Sequence, residues 1–125
     1  MPSAGVLAAI AVGGALGALA RWGIGQALPA WDGASLPMAT LLANLAGCLA
    51  IGVLASLPIV TQGREWLHRF LITGVLGGFT TFSALALEVG VLAGDGHLPL
   101  AVAYLAITLV GGLLAVALGR VLVHR

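Results

Sequence analysis

The chain has 125 residues, 61% of them hydrophobic and 7% charged, with a formal net charge of +1. Soluble domains are about 25% charged, so this composition, with a mean hydropathy of +1.16, excludes a soluble globular domain and a disordered chain. With no charge excess there is no basic patch to attract nucleic acid, and the single Cys48 excludes an internal disulfide or a cysteine-rich metal site. An integral membrane protein remains.

A membrane-crossing helix needs about 20 mostly apolar residues. Four stretches meet this, with approximate bounds 4–28, 37–60, 70–93 and 98–123. Pro29, Trp31, Asp32 and Gly33 end the first. No cleavable leader is expected there, because no positively charged side chain precedes the apolar run. Pro37 suits the first turn of the second stretch, which closes at Pro58 and the polar run Thr61-Gln62-Gly63-Arg64-Glu65. Gly94-Asp95-Gly96-His97 and then Pro99 divide the third from the fourth. The short connections predict antiparallel neighbours in a single four-helix transmembrane domain.

Glycine supplies 19 residues, many with a small residue four positions away: Gly13 and Gly17, Gly74 and Gly78, Gly90 and Gly94, Gly111 with Ala115 and Gly119. On a helix each set shares a face, and small faces let membrane helices approach closely. Helices packed that tightly enclose no wide pore, so any transport path is narrow or built from more than one chain.

Polar groups inside hydrocarbon are expensive, which makes the few present informative. Arg21 lies near the end of the first span, where a long side chain can snorkel to the interface. Asn44 either bonds a neighbouring helix or lines a polar path. The third span holds Gly74-Val75-Leu76-Gly77-Gly78-Phe79-Thr80-Thr81-Phe82-Ser83. Paired glycines followed by β-branched threonines make a poor helix centre and predict a break. Exposed carbonyls there persist only where protein or an ion satisfies them. The alternative is an unbroken helix whose hydroxyls bond back to i−4 carbonyls. Phe79 and Phe82 would lie on nearly one face if helix persists, and a ring edge carries partial positive charge that can meet an anion. Glu88 is a vestibule residue or a partner for a basic group. Tyr104 and Thr108 share a face with Gly112. His68, His97 and His124 fall in loops or the tail, and no catalytic motif is present, so an enzyme is not expected.

These residues resemble the Fluc (CrcB) family of fluoride channels. The likeness rests on Gly13-Gly14-Ala15-Leu16-Gly17-Ala18-Leu19-Ala20-Arg21-Trp22 in the first helix, Thr40-Leu41-Leu42-Ala43-Asn44-Leu45-Ala46-Gly47 in the second and the Gly74–Ser83 segment in the third. The resemblance implies an antiparallel homodimer in the cell's inner membrane, with two narrow fluoride paths that draw residues from both chains. It implies a sodium ion at the dimer centre, held by main-chain carbonyls that map to Gly77 and Thr80. It places Asn44, Phe82, Ser83, Tyr104 and Thr108 on the fluoride path, and Arg21 and Glu88 at recurring family positions. Two positions depart from the pattern. Leu85 stands where a second phenylalanine is usual, so that Phe79 or a partner chain supplies the missing ring or the path is less selective. Gly112 stands where a hydroxyl is usual.

Fluoride is small and strongly hydrated, and hydroxyls, an amide and ring edges can replace its water without the full positive charge that would trap it. The spans hold no lysine and no central cation, Arg21 and Arg120 both lying near span ends, which fits passive conduction. The rival is a small multidrug-type proton-coupled transporter, which needs a membrane-buried carboxylate in its first span; here that span has no acidic residue. Arginines favour the cytoplasmic side. Arg64, Arg69, Arg120 and Arg125 fall on the side of the termini and Arg21 on the other. This bias leaves two readings: a homodimer that captures the minority orientation, or a pair with a paralogue.

Overall fold

The computed structural model describes residues 1–125, all helix and connecting turns, with no strand. The first helix, α1 (Ala4–Ala27), starts where the Ser3 hydroxyl accepts the Val6 N–H at 3.2 Å. It stops at Leu28, which turns extended before Pro29. The connector to α2 (Met38–Leu54) folds on itself. Asp32 Oδ1 accepts from the Ala34 and Ser35 N–H groups, each at 2.9 Å, and the Trp31 indole donates to the Ser35 carbonyl at 2.7 Å.

The second apolar stretch ends earlier than the expected residue 60. Leu57 is forced extended by Pro58, and the Ser56 hydroxyl takes the Gly52 carbonyl at 2.8 Å. Hence α2 has 17 residues, about 25 Å of helix and near the lower limit for crossing a bilayer. Pro58 opens a separate turn, α3 (Pro58–Thr61). The other three rods, Ala4–Ala27, Glu65–Gly94 and Leu98–Val123, are long and apolar enough to cross.

The third rod starts with α4 (Glu65–His68), earlier than the expected residue 70, and widens into a π-helix over Arg69–Leu76. One tighter turn follows, α5 (Gly77–Phe79). The chain then leaves the helix at Thr80 (φ −87°, ψ 154°) and Thr81 (φ −146°, ψ 120°) before α6 (Phe82–Gly94). The break thus falls on the threonines, just after the paired glycines. Thr80 N–H and Oγ1 both close onto the Leu76 carbonyl, at 3.0 and 2.9 Å, and keep the glycine turn helical. The back-bonding hydroxyl and the break coexist. The last rod, α7 (Leu98–Val123), carries Pro99 in its first turn.

The glycine faces weld two seams. A methyl group at Gly17 would collide with the Val75 carbonyl of the π-helix, and one at Gly78 with the Gly14 carbonyl of α1. Between α2 and α7, Gly52 meets the Val116 carbonyl and Gly119 meets the Leu49 carbonyl. Gly90 and Gly94 depart from this pattern: open space surrounds both, because that face of α6 has no neighbour in the chain. A small apolar core, Leu41, Leu85, Leu92, Ala101 and Tyr104, joins α2, α6 and α7. Elsewhere large apolar side chains point outward, Phe82 at 79% exposure and Leu113 at 74%. Helices apolar all round belong in hydrocarbon or against another chain.

Candidate functional site

The break is held by one side chain. Asn44, buried on α2, accepts the Thr81 N–H at 2.7 Å and donates to the Thr81 carbonyl at 2.9 Å. Its amide therefore replaces the helical partners that Thr81 has lost. Of the two sequence readings of Asn44, the structure shows the interhelical bond; the side chain also lines a groove beside it. Thr81 then caps α6, its Oγ1 accepting the Ala84 N–H at 3.1 Å.

This rewiring decides which carbonyls stay free. A continuous helix would give the Gly77 carbonyl the Thr81 N–H, which Asn44 has taken, and the Thr80 carbonyl the Ala84 N–H, which the Thr81 hydroxyl has taken. The Gly78 carbonyl is instead met by Arg21 Nε at 3.3 Å. Arg21 thus reaches the broken helix. Gly77 and Thr80 thus present main-chain oxygens without their helical donors, a donor set that fits a hard cation such as sodium. No three His, Cys, Asp or Glu side chains converge anywhere in the chain.

A groove of about 660 Å³ runs along the break. Asn44, Gly77, Thr80, Phe82, Leu85 and Thr108 line it. Thr108 is buried and donates to the Tyr104 carbonyl at 2.9 Å, so its proton is spent within its own helix until the hydroxyl rotates. Ser83 is exposed, its hydroxyl 3.1 Å from that of Thr81. Phe79 is half-buried and lies before the break, whereas Phe82 lies after it, so the two rings do not share one helical face. Leu85, at 4% exposure, belongs to the core and only edges the groove. Gly112 leaves room that the Cys48 thiol approaches; a Cβ there would lie 3.2 Å from its Sγ.

Behind the groove sits a second buried polar group. Thr40 Oγ1 donates to Glu88 Oε1 at 2.6 Å. Glu88 has no basic partner; the one ion pair in the chain joins Arg69 and Glu65 at the surface, 3.7 Å apart. Tyr104 is fully buried beside Thr40 and Glu88, and its hydroxyl makes no hydrogen bond. Sequence reasoning gave no site role to Thr40, Thr81 or Cys48, although it placed Thr81 in the break. Thr40, Asn44 and Cys48 are spaced four apart on α2, so the helical repeat could have found two of them.

Residues 8–120 match the family described as CrcB-like protein, Camphor Resistance (CrcB). The fluoride-specific ion channel FluC of Rhodospirillum centenum is 46% identical over 114 residues, covering 88% of this chain and 90% of that protein. The fluoride-specific ion channel FluC of Paracoccus denitrificans is 44% identical over 114 residues, covering 88% and 87%. The fluoride-specific ion channel FluC 1 of Brucella melitensis is 36% identical over 122 residues, covering 92% and 96%.

Proposed function

We propose, from the premise that this chain belongs to the CrcB family, that it is a fluoride-selective channel. It is a multi-pass membrane protein and not an enzyme. In this reading fluoride leaves the cytoplasm passively across the inner membrane, protecting the cell from its toxicity. The four rods are read as four spans, α2 being the short one. The observation that carries the reading is the groove at the break. It offers an amide, hydroxyls and the exposed Phe82 ring with no cation inside it, which suits an anion that must be dehydrated and then released.

The working unit is read as two copies in opposite orientations, or this chain with a paralogue. The exposed face around Phe82 is then covered by the second copy, and each of two paths takes groups from both chains. Asn44, Phe79, Phe82, Ser83, Tyr104 and Thr108 are assigned to the path. A sodium ion at the dimer centre would be held by the Gly77 and Thr80 carbonyls, whose helical donors have been diverted. Arg21 and Glu88 have supporting roles. The proton-coupled transporter is not favoured: α1 carries no acidic residue, and Glu88 sits on α6 bonded to Thr40.

The test uses purified protein in liposomes loaded with potassium fluoride, with a potassium ionophore and no proton gradient. The expected result is rapid fluoride efflux. Flux that appears only when a proton gradient is imposed would overturn passive conduction.

A further inference from the structure

Behind the groove one buried polar pair has hydrogen bonds left unmade. Glu88 is 8% exposed and carries a single hydrogen bond, from Thr40. Tyr104, at 0% exposure beside it, has its hydroxyl near Thr40 and Glu88 without a formed hydrogen bond to either. Unpaired buried polar groups are costly, most of all within a membrane. Two adjacent groups left incomplete together point to a shared proton.

We infer that Glu88 and Tyr104 form a proton-dependent switch, in which a protonated Glu88 frees the Tyr104 hydroxyl to donate to fluoride and an ionised Glu88 captures it. This rests on the channel reading above. With the proton on, Thr40 donates to Oε1, the Glu88 O–H donates to the tyrosine oxygen, and the phenol proton is left for a passing anion. With the proton lost to water, the phenol donates to the carboxylate in a short charge-assisted bond. The path then loses a donor and gains a negative charge that repels fluoride. Both effects have the same sign, so flux falls as pH rises.

The connector, whose Trp31 and Leu36 pack against the Tyr104 cluster, carries one charge, Asp32, which is exposed and bonded to the Ala34 and Ser35 N–H groups. Helix α2 contributes Thr40, and its one titratable side chain, Cys48, lies two turns further on, towards Gly112. Helix α7 contributes Tyr104, and its one charged residue, Arg120, lies four turns away. Asp95 and His97 lie beyond the end of α6. Glu88 is thus a positioning residue acting through Tyr104.

The experiment measures fluoride efflux from proteoliposomes across about pH 6 to 9, where the neutral fraction of a titrating carboxyl falls about tenfold per pH unit above its midpoint. Protein-free vesicles correct for leak of hydrogen fluoride. Wild-type flux is expected to fall with rising pH, Glu88→Gln to lose the slope, and Tyr104→Phe to be slower with a weaker slope. A flat wild-type profile, or an unchanged slope in Glu88→Gln, would overturn the switch while leaving the channel reading intact. Absence of fluoride flux at every pH would overturn both. Should Glu88→Gln fail to fold, infrared spectra of the wild type decide. A protonated-carboxyl band that vanishes in step with the flux supports the switch, and its absence at every conducting pH overturns it.

Discussion

Between α1 and the π-helix the chain packs backbone on backbone, with Gly13, Gly17, Gly74 and Gly78 at the contact. Arg21 to the Gly78 carbonyl is the one side-chain hydrogen bond across that seam. Between α2 and α6, with the break that precedes it, the contact is made instead by buried polar groups, Asn44 on Thr81 and Thr40 on Glu88, beside a small apolar core. The first seam gains dispersion from close approach and depends on absent side chains. The second holds donors and acceptors only partly used, and these are what an ion can borrow. This small membrane chain builds its frame with glycine and keeps its few buried polar residues at and beside the break.

The frame is the easier of the two to break. Gly17→Ala puts a methyl group into the Val75 carbonyl, where relief requires backbone movement and overpacking costs about 1–3 kcal/mol or more. The expected outcome is loss of monodisperse protein in detergent. Gly90→Ala, which meets open space, should leave size-exclusion profile and flux unchanged, and a similar loss there would remove the contrast.

Asn44→Ala comes next. It strands the Thr81 N–H and carbonyl, at about 1–3 kcal/mol for each unpaired group. Fluoride flux should be lost, with a fall in thermal stability of the same order as that of Gly17→Ala but with the protein still monodisperse. Wild-type flux in a folded Asn44→Ala protein would show that the amide is only structural. Phe82→Ile separates the roles from the other side. Phe82 is 79% exposed within its own chain, so the fold should survive while flux drops.

Leu85→Phe sharpens the boundary between core and groove. Leu85 is 4% exposed among Leu41, Leu92 and Tyr104. The added ring should cost about 1–3 kcal/mol, read as a lowered melting temperature, and Leu85→Met should be tolerated. A Leu85→Phe protein with unchanged stability and sharper fluoride selectivity would mean that this position opens to the path instead. The smallest effect is expected at the connector, where hydrogen bonds led by that from the Ala34 N–H hold the exposed Asp32 carboxyl below its usual range. Such a depressed group favours the fold above its unfolded pKa and loses that contribution as pH falls through the folded value. Asp32→Ala should raise hydrogen exchange at Ala34 and Ser35 and leave flux unchanged.

Much of this was readable in the sequence, for a physical reason. In lipid the backbone must satisfy itself, so a run of apolar residues means helix and the Gly-Gly-Phe-Thr-Thr segment in mid-span means interruption. Four-residue glycine spacing located the seams of α1, the π-helix and α7. It failed for Gly90 and Gly94, since spacing shows that a face is smooth and not that anything lies on it. The early end of α2 was within reach, because Pro58 forces Leu57 out of helix. The π-helix was not; it lies where α1 brings Gly13 and Gly17 against the Phe70 and Val75 carbonyls, a tertiary contact that no local residue pattern announces. Asn44 stood out as a polar residue in hydrocarbon. Its partner Thr81 did not, because the bonds run to Thr81's backbone, which has no sequence signature. Tyr104 and Glu88 were visible singly, but only the packing of α6 on α7 brings them together.

The central claim is that the partly used polar groups beside the break pass fluoride and refuse other halides. The most direct measurement records fluoride and chloride efflux side by side from vesicles that contain only this chain. The account predicts fast fluoride efflux with chloride at the level of protein-free vesicles. Equal efflux of the two ions, or none of either from folded protein, would contradict it.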